Sequence, residues 1–403
     1  MSRVLTLGLE AMGTARSVAL DEAYRNDIEQ LVKDANASGN EREKMHARAI
    51  SLFANGGMTA ACQQWERILR ETPNDLLAIK FAHDAYFYLG DRTSIRDSIS
   101  RVLPHWNTSA PCYSYLHGMY AFGLEECEEY EKAEKEALKG LELRREDAWA
   151  THALVHCMEM NGRVDEGIKF METTVQDWSP CFMLACHNYW HTALLYLEKQ
   201  NYETVLSYYD SEIASRSKSG AMLDLVDAAS ILFRLHIEGV DVGERWNALL
   251  PVAEAHIDDH ILAFNDAHFR MIFDHCRMNE LSDQHRNSVQ NFITSASGDN
   301  CRITRQIGEA TFDAISSYCR GDFKRVIERL TPLRRKLFEI GGSNAQRDLF
   351  TQILIQSCLR SPVSSDHKLA RILIEERNSI KKNSSISKRL MEQFNLLSKM
   401  DEK

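Results

Sequence analysis

The chain has 403 residues, 44% of them hydrophobic and 26% charged, with only 7 Pro and 19 Gly. Pro and Gly this scarce exclude a loop-rich all-β chain and a disordered one, and no run of about 18 apolar residues is present to cross a membrane. A net charge of −10 without any Lys/Arg cluster excludes nucleic acid as a partner.

Helix signals then follow in pairs along the chain. Met1–Met12 reads as a short first helix. Arg42–Asn55 and Met58–Glu71 form a pair stopped by Pro73, and Asp75–Leu89 and Thr93–Leu103 form the next, turning at Gly90-Asp91. The clearest units are 114–147 and 148–181. Set in register at 34 residues, Tyr130 matches Val164, Ala133 matches Gly167 and Gly140 matches Thr174. Small residues recur where two helices approach closely, and apolar residues recur at i, i+3, i+4 and i+7. Leu184–Lys199 and Tyr202–Ile213 follow, then Met222–Glu238 and Val242–His256, then a weaker pair beginning at Ile261–Met278. Gln306–Arg320 and Phe323–Ile340 turn at Gly321-Asp322. Asn344–Arg360 and His367–Ile380 make the last pair, and Ile386–Lys399 reads as a capping helix. Pro73, Pro104, Pro111, Pro180 and Pro362 fall at joints; Pro251 and Pro332 fall inside helices and predict a kink or a helix start. No strand is predicted.

This 34-residue hairpin pattern resembles the tetratricopeptide repeat. The resemblance implies an all-α fold, a right-handed α-solenoid over residues 1–403 as a single unit, with each hairpin stacked on its neighbours. Several stretches are more specific: LLAIKFAHDAYFYLGD (76–91), DAWATHALVHCMEM (147–160), LACHNYWHTALL (184–195), EGVDVGERW (238–246), DDHILAFNDAHF (258–269) and GGSNAQRD (341–348). Together they resemble the tetratricopeptide repeat protein 38 family over nearly the whole chain. That family carries a further N-terminal helical segment, of which Met1–Met12 would be the last helix. Its biochemical role is poorly defined, so the resemblance implies a fold more than a function.

In such a solenoid the first helix of each pair lines a concave groove, with groove positions about one helical turn apart. That register brings Trp149, His152, His156 and Glu159 to the groove, then His187 and Trp190, with Asn188 adjacent and His191 at the edge. Lys80, Asp84 and Phe87 face it from the earlier pair, with His83 beside them; Asp266 and Phe269 face it from the later one, with Asn265 and His268 nearby. The spacing His-x-x-x-His occurs at His152/His156, His187/His191 and His256/His260. Imidazoles at i and i+4 share a helix face and suit a zinc or iron ion, with Glu159 one turn further. No Glu follows His152 to make an HExxH base. The same histidines also fit hydrogen bonding among themselves, to backbone or to carboxylates, or a polar ligand site. No metal or cofactor is assigned. Trp149 and Trp190 fit core packing as well as a groove.

Other features read more plainly. The acidic run Glu125–Glu131 is expected on a solvated face at a helix start. Residues 121–172 carry a net charge of −7 and residues 362–403 one of +3, both read as solvated surface. Asn344 is a candidate cap and Arg347 a partner for a carboxylate. Cys157, expected partly buried, has no nucleophile's surroundings. Ten Cys without a C-x-x-C pair or a secretory signal predict reduced thiols in the cytoplasm. No catalytic residue is identified. The expected function is a scaffold that binds a protein or peptide in the groove. The alternative is a small-molecule or metal-dependent site, enzymatic or not, built from the groove His, Asp and Asn.

Overall fold

The computed structural model describes residues 1–401, so the last two residues of the expected 1–403 unit lie outside the described residues. Among the described residues every regular element is helical. The N-terminal helices are α1 (Ser2–Met12), α2 (Glu22–Ser38), α3 (Glu41–Ala54), α4 (Met58–Glu71), α5 (Leu76–Tyr88) and α6 (Arg92–Val102). The central ones are α7 (Tyr113–Glu126), α8 (Tyr130–Leu143), α9 (Ala148–Met160), α10 (Val164–Thr173), α11 (Val175–Trp178), α12 (Phe182–Glu198), α13 (Tyr202–Tyr208), α14 (Ala214–Arg216) and α15 (Met222–Ile237). The remainder are α16 (Leu250–Ala255), α17 (Ala263–His275), α18 (Asn279–Ser295), α19 (Asp299–Ile303), α20 (Glu309–Cys319), α21 (Phe323–Leu330), α22 (Asn344–Arg360), α23 (Ser364–Ile380) and α24 (Ser385–Asp401). Successive helical hairpins, each packed on the next, stack into an all-α solenoid. No helix is long and apolar enough to cross a membrane.

Local chemistry explains the boundaries. Asp75, Asp91 and Asp322 each cap a helix by accepting from the backbone N–H three residues on. Asp147 caps α9 by accepting from the N–H groups of Trp149 and Ala150. The expected cap at Asn344 moves one residue back: Ser343 and Gln346 form a capping box, and Asn344 turns outward from the helix start to Glu126. The helix expected over Phe323–Ile340 stops at Leu330, because Pro332 cannot continue it and opens a 3₁₀ turn instead. Pro251 likewise sits in the first turn of α16. The helix expected from Gln306 instead starts upstream, with a π turn at Thr304–Gly308 joining α19 to α20. Helix α2 was not anticipated; Asp21 caps its start and Gly39 its end.

The solenoid does not leave its concave side open. Five successive hairpin turns meet the C-terminal third along a seam. Asp299 N–H donates to the Gly56 carbonyl at 2.9 Å. The Gly90 turn abuts the Phe338 carbonyl. Glu126 receives the Asn344 N–H at 2.7 Å and pairs with Arg347 at 3.1 Å. Lys382 N–H donates to the Met160 carbonyl, and Ile386 N–H donates to the Glu198 carboxylate.

Gly90 has φ +65°, and a Cβ there would collide with the Phe338 carbonyl. Gly239 also has positive φ, +81°, but open space around it. Gly239→Ala is therefore expected to cost about 1 kcal/mol, the left-handed penalty alone. Gly90→Ala should cost clearly more, because the seam must also part. Chemical denaturation of both variants measures the difference; equal losses would mean the seam contributes nothing there.

Candidate functional site

Six helices, α5, α7, α9, α12, α15 and α17, wall a chamber of about 480 Å³ with the end of α1 and the loop before α22. Of the sequence-predicted residues, His83, Asp84, Trp149, His152, His187 and Asn265 line it. Phe87, Phe122, Leu262 and Phe264 supply apolar wall, and Phe182 and Met183 stand at 62% and 73% exposure beside it. Lys80 pairs with Asp84 and lies 4.4 Å over the Trp149 ring.

The remaining predicted residues do not line the chamber. His156, Glu159 and His191 lie behind it, buried where the C-terminal segment covers the groove. Trp190 is a core residue, fully buried and stacked on His187 at 5.1 Å. Asn188 is buried between helices and reaches the Ala148 carbonyl at 3.4 Å. Asp266 sits in a separate triad, accepting from His260 at 3.0 Å and from His285 at 3.2 Å. His268 turns to the Phe264 carbonyl beside Phe350, and Phe269 is likewise core. These residues fall on faces that other helices cover; a register counted on one helix does not reveal its coverings. The spacing at His256/His260 shares no helix face either, because His260 lies in a loop at φ +44° after α16 has ended.

Behind the chamber four imidazoles converge. His152 and His156 from α9 and His187 and His191 from α12 offer nitrogens all within 4.8 Å of one another. The two pairs are one repeat apart, and i, i+4 spacing turns both onto facing sides. His152 Nε2 and His156 Nε2 are 3.0 Å apart. The His156 and His191 rings are 4.2 Å apart and the His152 and His187 rings 4.9 Å. Carboxylates stand behind three of the rings. His187 Nδ1 is 2.8 Å from Asp227, His191 Nδ1 is 3.0 Å from Glu159, and His156 Nδ1 is 3.4 Å from Glu125. Burial, then the neighbouring imidazoles, pushes His152 and His191 well below the ordinary histidine value; burial lowers His156 too.

The outer layer comes from residues the sequence placed elsewhere. Glu125 and Glu126 are not on a solvated face but fully buried. The close approach of Gly118 to Ala150 and of Gly123 to Arg96 presses α7 between its neighbours, and the inner side of its last turn carries both carboxylates. Burial, then Glu159, pushes the Glu125 carboxyl up to about 8; burial pushes Glu126 up to about 7 against the pull of Arg347. Burial opposes ionisation of Glu159, but Lys381 and His156 outweigh it and hold that carboxyl below its ordinary value. Lys381 is 2.7 Å from Glu159 and 3.1 Å from Glu198. Arg234 is buried over Trp190 and donates to the Ala345 carbonyl. Asp227, Arg234 and Lys381 were missed in the sequence. Charges inside the otherwise apolar helix Met222–Ile237 were the available signal. Cys157, expected partly buried, is fully buried, and burial raises its thiol far above the ordinary value, so it is no nucleophile.

Burial also pushes His268 and His275 down to about 4. In the unfolded chain these groups titrate near 6.5. Their neutral, folded form therefore supports stability fully above pH 6.5 and loses it as pH falls toward 4, at about 1.4 kcal/mol per pH unit for each group. The melting temperature is expected to fall between pH 6.5 and 4.5, and less steeply for His268→Gln. Parallel profiles for the two proteins would refute the assignment to His268.

No family model matches the chain. Among solved structures it is similar to yeast Tom70, at 10% sequence identity and a TM-score of 0.32, over 99% of this chain and 96% of that chain.

Proposed function

We propose that the protein binds a small, mainly apolar organic molecule with a polar end in this chamber. One observation carries this reading: first helices from successive hairpins place His83, Asp84, Trp149, His152 and His187 around one chamber of about 480 Å³. That volume and the mix of aromatic wall with a few convergent polar groups are what small-ligand pockets have in common. Phe87, Phe122 and Phe264 suit a flat or branched apolar body. The Lys80–Asp84 pair and the His152 and His187 rings suit a hydrogen-bonding end. Convergence of imidazoles there also supports general acid–base chemistry on a bound molecule.

A second reading rests on Phe182 and Met183, whose exposure beside the chamber fits an apolar side chain of a peptide or protein partner. Both readings take residues 1–403 as one tetratricopeptide-like unit of the tetratricopeptide repeat protein 38 family. The stretches that carry that resemblance supply His83, Trp149, His152, His187, Asn265 and Gln346 of the chamber wall. Cytoplasmic residence belongs to the same proposal and is supported by cysteines that are all free.

Ala221→Trp, which fills the chamber from its wall, tests the first reading. Mass spectrometry of gently purified protein should find a small molecule, released on denaturation, that the variant lacks. Failing a co-purifying molecule, a compound library should raise the melting temperature of the parent chain and not of the variant. If neither occurs, while an apolar peptide protects Phe182 and Met183 from solvent, the second reading replaces the first.

A further inference from the structure

The four histidines behind the chamber pose a problem of protons. A neutral imidazole has one N–H and one lone pair. His187 and His191 place Nδ1 against Asp227 and Glu159. A carboxylate accepts, so both rings carry their proton on Nδ1 and turn an Nε2 lone pair inward. His152 Nε2 and His156 Nε2 meet at 3.0 Å, so one proton at most lies between them. Of the three inward lone pairs that remain, one accepts that shared proton and two, on His187 and His191, are left without one, in a space where His156 and His191 are 0% and His152 only 2% exposed. His191 Nε2 is buried without any hydrogen-bond partner. Lone pairs forced together in a water-poor site repel one another unless a cation sits among them.

We propose that His152, His156, His187 and His191 bind one divalent first-row metal ion, zinc by preference. Four neutral imidazoles are a donor set that such ions accept, and zinc takes four ligands tetrahedrally without redox chemistry. The nitrogens lie within 4.8 Å of one another, and a bound ion at about 2.0–2.1 Å from each would draw them closer by small side-chain shifts. The outer carboxylates complete the case. Asp227 and Glu159 stand behind His187 and His191 within hydrogen-bond distance, the arrangement that fixes the tautomer and orientation of a metal-bound imidazole, and Glu125 lies 3.4 Å from His156 Nδ1. The ion would clamp α9 to α12 across one repeat. His152 and His187 would present its chamber side to whatever the chamber holds.

The other His-Asp cluster is different. In the His260–Asp266–His285 triad the carboxylate already accepts from both rings, and His260 Nε2 also pairs with Ser288. His285 Nδ1 and Asp266 Oδ2 are left without partners there, but the triad offers only two imidazoles, and both already donate to its carboxylate.

The metal site stands apart from the small-molecule reading, since metal binding is read without any chamber ligand. Protein purified without chelator should carry about one equivalent of a first-row divalent metal by elemental analysis. Metal-free protein titrated with cobalt should develop the intense visible bands of a four-coordinate nitrogen site. His152→Ala with His191→Ala should abolish both signals, and His285→Ala should keep both. Less than about 0.1 equivalent of metal together with no cobalt bands would overturn the proposal. So would metal retained by the double variant, or lost in His285→Ala. Should the double variant fail to fold, His152→Gln serves instead: it should shift the cobalt bands to those of a site with one nitrogen fewer, and unchanged bands would count against the site.

Discussion

Lys381→Met is expected to destabilise the chain by about 3–5 kcal/mol, while Lys381→Arg costs much less. The Lys381 ammonium is the shared partner of Glu159 and Glu198, at 2.7 and 3.1 Å, and both carboxylates are 1% exposed at the side chain. Methionine keeps the stem's apolar contacts and deletes the charge, so the loss reports two buried carboxylates left undercompensated. Arg377 reaches Glu198 only at 3.9 Å and is committed to Asp348. The pH dependence has a definite sign. In the parent chain, Lys381 and His156 offset burial and hold the Glu159 carboxyl low, so its contribution is present above the ordinary carboxylate value and is lost as pH falls through the lowered one. Without Lys381 that carboxyl takes up its proton at higher pH. The gap between variant and parent is then widest near neutrality and closes toward pH 4. Glu159→Gln in the same chain should return part of the loss. Urea unfolding measures all three. A loss below about 1 kcal/mol at pH 7 would show that the seam does not depend on this charge.

The hairpins were legible because their punctuation is local. Pro73, Pro104 and the Gly90 and Gly321 turns act within a few residues of where they stand, and α4 and α22 run between the residues the sequence marked. The histidine pairs on α9 and α12 were legible for the same reason: i, i+4 spacing fixes a shared face. What covers a face is not local. Trp190 lies on the same helix as His187, yet α15 and Arg234 bury it while His187 keeps an edge on the chamber. Glu159 counts as a groove residue by register, and the groove there is occupied by Lys381, more than 200 positions away in sequence.

The uneven charge held a signal that a solvated-surface reading lost. The segment 121–172, net −7, and the segment 362–403, net +3, meet through Glu159 and Lys381, and Met160 and Lys382 join their backbones. Opposite excesses far apart in one chain can be partners of each other. A helix that ends in adjacent buried carboxyls, as α7 does with Glu125 and Glu126, can tolerate them only where burial keeps a proton on them, as at Glu125, or a cation is brought from elsewhere. Arg347 fills that role for Glu126.

A chain ended after Asn383 should lose cooperative folding of its central and C-terminal hairpins. The cut keeps Lys381 but deletes α24. Arg377 then loses the hydroxyls of Ser384 and Ser387, Glu198 loses the Ile386 N–H, and Glu238 loses Arg389. Ile386 and Leu390, each 3% exposed, leave the main core. Each apolar side chain is worth about 1.5–3 kcal/mol and each hydrogen bond to a charged group a comparable amount. The total is comparable to the 5–15 kcal/mol by which ordinary domains are stable at all, roughly speaking. A solenoid transmits such a loss mainly to neighbours. Hydrogen exchange should therefore show protection falling at α12, α22 and α23, whose core or polar partners are removed. It should persist at α3 to α6, whose seam contacts run to Asp299 and Phe338 upstream of the cut. Uniform protection equal to the parent's would mean α24 is an appendage. Uniform loss from α3 onward would mean the closed seam makes the whole solenoid one cooperative unit, stiffer than a stack of repeats held only by nearest neighbours.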